Sequence, residues 1–168
     1  ANGVAHDNAH DALSDVRACI GLARLIQENQ PKLFDWLLQV RDKRAVAKLI
    51  ETDQPFVYSS GKYDNQHEKT TVAVRMAPHP SKQGASLVYD LRYDPTEFVG
   101  MTAKQLVERW RYTREPNAPT RLPVKTLQYN RCPAVAPLGV LDEASQARIG
   151  LSLAEVKHNL ALLSSHGE

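Results

Sequence analysis

Thiols are scarce in this sequence. Cys19 and Cys132 are the only cysteines in 168 residues, far apart and at no metal-binding or Cys-x-x-Cys spacing. Two lone thiols argue against a disulfide-built scaffold and fit a reducing cytoplasm. Long apolar runs are missing too, since none approaches the roughly 18 residues of a membrane-crossing helix. The opening Ala1-Asn2-Gly3-Val4-Ala5-His6-Asp7 has neither the basic nor the apolar region of a signal peptide, and it has no initiator Met. The expectation is a piece of a longer protein. An excess of one charge is also absent. The 21 Lys and Arg against 19 Asp and Glu leave a net charge of +2, a field too weak to imply nucleic-acid binding without local clusters.

What is present describes a globular chain: 42% hydrophobic and 24% charged residues, in a length that suits one domain or a small domain with an appended piece. From Asp11 to Gln27 the apolar spacing predicts one amphipathic helix, with Ala12, Val16, Cys19, Ile20, Ala23 and Ile26 on a single face. Pro31 suits the first turn of a second helix, over Lys32 to Val40. A third runs from Asp42 to Glu51, with Val46, Leu49 and Ile50 inward and Lys43, Arg44 and Lys48 outward. Beyond Thr52 the character changes to strands between turns: Phe56 to Ser59, Thr70 to Ala77, Ala85 to Tyr93, Val124 to Tyr129 and Ala134 to Ala136. Gly61 to Lys69 is polar and reads as a mobile surface loop. Thr102-Ala103-Lys104-Gln105 and Ser152-Leu153-Ala154-Glu155 are capping boxes that open two helices, and Asp142 caps a short one ending at Gly150. The class is α+β: a small curved sheet or barrel flanked by helices at both ends.

The densest chemistry lies in Asn8-Ala9-His10-Asp11-Ala12-Leu13-Ser14-Asp15-Val16. Polar residues at a helix start are ordinary caps. The functional reading makes Asp15 a metal-bound carboxylate and His10 a general base, the parts metal-assisted phosphodiester hydrolysis requires. His10 and Asp15 would point about 140° apart on a continuous helix, so His10 must precede it to converge. One Asp cannot hold two ions; further acidic residues must come from elsewhere. The His10-Asp11 doublet also fits the His-Asp phosphohydrolases, but His67, His79 and His158 lie at no supporting spacing. Lys43, Arg44, Lys48, Lys125 and Arg131 are candidates for a phosphate track, with Tyr129 beside them to stack a base. Ser59-Ser60-Gly61 is a turn, and the apolar residues around Trp36 read as core or an interdomain seam.

The string Ala9-His10-Asp11-Ala12 with Asp15-Val16 resembles the last motif of the DEDD exonucleases that use a catalytic histidine. Asn8 to Ala12 with Ala1 to Val4 is similar to the bacterial exodeoxyribonuclease I family. The likeness continues through Gln30 to Leu37, Val88-Tyr89-Asp90-Leu91, Leu122-Pro123-Val124-Lys125, Asn130-Arg131-Cys132-Pro133 and Arg148-Ile149-Gly150. It implies three parts: residues 1–30 as the terminal helix of an RNase H-like exonuclease domain, 31–151 as an SH3-like barrel domain with leading helices, and 152–168 as the start of a helical domain. It implies a Mg²⁺-dependent 3′-to-5′ exonuclease on single-stranded DNA in repair and recombination, with His10 as general base and Asp15 as metal ligand. The family's other acidic motifs are absent from this chain, so the chain alone is expected to be inactive. The alternative is a non-catalytic module that binds single-stranded DNA or a protein tail. Lys43 and Lys125 match basic DNA contacts. Trp36 matches an aromatic position in the pocket for the acidic tail of single-stranded DNA-binding protein. Pro137 and Asp142 depart from the polar and basic residues of that pocket.

Overall fold

The structure, a computed structural model, describes residues 12–111, 115 and 117–165. Helix α1 (Ala12–Asn29) leads into α2 (Pro31–Gln39), whose first residue is the proline that its fixed φ suits. Helix α3 (Lys43–Ile50) starts where the Asp42 side chain accepts from the Arg44 N–H at 2.9 Å. Five strands follow: β1 (Phe56–Ser59), β2 (Thr70–Pro78), β3 (Ala85–Asp90), β4 (Val124–Gln128) and β5 (Ala134–Pro137). Helix α4 (Ala103–Trp110) lies between β3 and β4, and α5 (Glu143–Ile149) and α6 (Leu153–Ser164) close the order. The α+β class read from the sequence is what the structure shows.

The strands form one antiparallel sheet in the order β4-β3-β2-β1-β5, with β4 and β5 at its edges. Alternation along the strands supplies two apolar faces. Phe56, Tyr58, Ala73, Val88 and Leu127 face α2 and α3, where Val46 and Ile50 are wholly buried. Val72, Val74, Tyr89 and Val124 face the other way, toward α4, α5 and α6. Both faces are covered, which is why β2 reads as a nearly unbroken apolar run. Helix α1 differs: none of its residues is buried, and Leu13, Val16, Ile20 and Leu22 all stand exposed. The apolar face predicted for it exists, but nothing in the described chain buries it.

The loop between β1 and β2 departs from its sequence reading. It is pinned rather than loose. His67 donates from Nδ1 to the Ile149 carbonyl at 3.1 Å, and Arg148 reaches Glu68 at 2.6 Å. Arg92 completes the junction, donating to the carbonyls of Ile149, Gly150 and Thr70. Polar composition alone could not reveal these partners, because they lie far along the chain at the end of α5.

Candidate nucleic-acid interface

The predicted hydrolytic corner divides. His10 lies outside the described residues. Asp15 sits exposed in the first turn of α1, where a carboxylate complements the helix dipole. Among the described residues no three His, Cys, Asp or Glu side chains converge to hold a metal ion.

The five basic residues expected to share a track also separate. Lys43, Arg44 and Lys48 stand exposed on α3, and they line neither of the two clefts where the remaining cations gather. Lys125 and Arg131 are found at those clefts, on either side of a residue the sequence did not single out, Lys62. Lys62 follows β1, and its ammonium donates to the Thr126 carbonyl on β4 at 2.9 Å. That bond carries the loop across to the sheet edge. The larger cleft, about 510 Å³, is lined by Lys62, Arg121 and Lys125 together with Tyr63, Tyr93 and Asp90. The second, about 390 Å³, takes in Lys62, Tyr58, Gln128 and Arg131. Lys62 belongs to both.

Burial and the neighbouring charges of Arg121 and Lys62 lower the Lys125 pKa, against the opposing pull of Asp90. Three cations thus share one rim, with Asp64, Asp94 and Glu97 also on the lining of the cleft. Asp90 beneath them is buried. It accepts from the Thr71 hydroxyl and from the Arg92 N–H, yet desolvation dominates and raises its carboxyl above the usual range. Tyr63 is 9% exposed, stacks edge-on to Tyr58 at 5.4 Å, and its buried hydroxyl has no hydrogen-bond partner among the described residues.

Tyr129 corrects the sequence reading. It is not a stacking platform: its ring is buried, and its hydroxyl shares a 2.6 Å hydrogen bond with Ser86 and donates to Glu51 at 3.2 Å. Trp36 is half-buried, with its indole N–H on the Val135 carbonyl at 2.7 Å. Nearby in sequence, Pro137 ends β5, and Asp142 caps α5 by accepting from the Ser145 N–H at 2.7 Å. The Asp142 carboxyl is accordingly held below its ordinary range.

Comparison with known proteins gives a consistent answer. The family model described as the exonuclease I SH3-like domain matches residues 41–168. Exodeoxyribonuclease I of Haemophilus influenzae is 36% identical over 97% of this chain, which covers 36% of that protein. The Escherichia coli protein of the same name is 34% identical over 97% of the chain and 35% of its own length. Among solved structures, a moderately thermophilic exonuclease I from Methylocaldum szegediense superposes with a TM-score of 0.87 at 37% identity, over 94% of this chain and 34% of that one. E. coli exonuclease I in complex with a dA16 oligonucleotide gives 0.91 at 31%, over 98% and 36%. The chain spans about a third of the length of these relatives.

Proposed function

The chain belongs to the exonuclease I SH3-like domain family, and from that premise we propose that it is the part of a 3′-to-5′ exodeoxyribonuclease that holds single-stranded DNA on its way to the hydrolytic centre. The observation that carries the reading is the rim of Lys62, Arg121 and Lys125 beside an open cleft. Such a rim binds a phosphodiester backbone without regard to sequence. That E. coli exonuclease I has been solved with oligonucleotides bound supports the same ligand here.

In this reading hydrolysis belongs to the longer protein, where Asp15 would help hold magnesium, the ion would supply Lewis-acid stabilisation of the phosphodiester, and His10 would accept a proton from the attacking water. Asp15 contributes one carboxylate, and one carboxylate does not hold two ions. The chain alone binds and does not cut. Its cellular setting would be repair and recombination in the cytoplasm. A docking role for the acidic tail of single-stranded DNA-binding protein is the weaker reading. Asp142 presents a like charge there, and the Trp36 indole N–H already has a partner.

A titration of the 168-residue chain with a fluorescein-labelled oligothymidylate, repeated at several salt concentrations, tests this. The expected result is binding that weakens linearly on a log–log plot, with no shortening of the oligonucleotide in magnesium. Salt-independent binding, no binding, or cleavage by the chain alone would each defeat the reading.

A further inference from the structure

We propose that the larger cleft is a one-nucleotide subsite, with the base against Tyr93 and the adjoining phosphate on Lys62. The inference rests on the single-strand reading above and adds to it an aromatic contact and a direction of travel.

Tyr93 lines the cleft and keeps 48% of its surface exposed. Its backbone is fixed on both sides. The Tyr93 N–H donates to the Asp90 carbonyl at 3.2 Å, and its own carbonyl accepts from the Tyr89 hydroxyl at 3.2 Å. A ring on an anchored backbone, half open to solvent at the mouth of a cleft, is a stacking platform. Any base has a face that can use it. The cleft volume, about 510 Å³, lies within the range of small-ligand sites.

The phosphate position follows from the charges. Asp64, Asp94 and Glu97 also line this cleft, but each is engaged within the fold. Asp64 accepts from the Gln66 N–H, Asp94 from Thr96, and Glu97 pairs with Arg109 at 2.8 Å. A phosphate would seat on the cationic part of the lining, where Lys62 and Lys125 stand beside Arg121. Lys62 also lines the neighbouring cleft with Arg131. A phosphate on Lys62 therefore lies between the two hollows, and the strand runs from Tyr93 across β4 toward Arg131.

The experiment is fluorescence anisotropy of the labelled oligothymidylate against the full chain and three variants, each checked by its thermal midpoint. Tyr93→Ala should weaken binding by about 5- to 150-fold, the range of one lost base stack, with the salt dependence unchanged. Tyr93→Phe should bind like the parent. Lys62→Ala should lower the slope of log affinity against log salt by about 0.7, one phosphate on a single strand. A folded Tyr93→Ala that binds as the parent does overturns the subsite while the single-strand reading stands. Failure of the parent to bind overturns both.

Discussion

The indole of Trp36 donates to the carbonyl of Val135 at 2.7 Å, across 99 positions of sequence. It straps α2 to an edge strand of the sheet, and the ring packs against the core cluster that includes Val46, Ile50 and Phe56. Trp36→Phe keeps most of the apolar contact and strands the carbonyl. The expected cost is about 1–2 kcal/mol, read as a lowered urea midpoint at unchanged slope.

Asp90 gives a pH signature. Its carboxyl is raised by burial, so the folded chain holds this proton over a range where the unfolded chain has released it. The contribution is full below the ordinary carboxylate value and is lost as pH climbs through the raised one. Asp90→Asn removes that titration while keeping an acceptor for Thr71. Relative to the variant, the parent should therefore be less stable at a neutral than at an acidic pH. Urea melts of both proteins at the two pH values check it; a difference that does not change with pH would contradict the assignment.

Gly150 ends α5 at φ +58°, in the left-handed region. An added Cβ would meet only His67, at 3.6 Å, an ordinary contact. The cost of Gly150→Ala is thus backbone strain alone, about 1 kcal/mol. Adding His67→Ala should not recover it, as a double-mutant cycle would show.

Truncation separates the helices. A chain starting at Pro31 loses α1, which buries no residue, and should melt within a few degrees of the parent. One starting at Thr52 loses Val46 and Ile50, both at 0% exposure. Two such side chains contribute about 3–6 kcal/mol, a large share of a typical domain's 5–15. That chain should fail to show a cooperative melt.

Much of the fold was legible because its signals are local. The strand over Phe56 to Ser59 and the capping box at Thr102 and Gln105 are found where the spacing puts them. The third helix, expected from Asp42, starts one residue later, with Asp42 as its cap. The strand predicted to reach Tyr93 stops at Asp90, whose carboxylate accepts from the Arg92 N–H and turns the chain. The interface was legible only in part. Lys125 sits on a strand whose pattern is readable, whereas Lys62 gains meaning only from a bond made 64 positions away. From sequence, Tyr129 reads as a stacking ring because it stands beside the basic residues Lys125 and Arg131. Its ring packs in the core cluster with Val46 and Ile50 and its hydroxyl is held by Ser86 and Glu51, partners that sequence distance hides.

The open sheet has two outer strands, and a carbonyl of each is taken by a side chain: Thr126 on β4 by Lys62, Val135 on β5 by Trp36. A bare edge is a template for another chain's strand, the first step toward amyloid-like stacking. Pro133 and Pro137, which cannot donate, add to the guard on β5. Residues read as ligand contacts would then do a second service, keeping the molecule from adding strands end to end. Replacing Lys62 would expose that edge, so the price of weakened binding would include a shorter shelf life at high concentration.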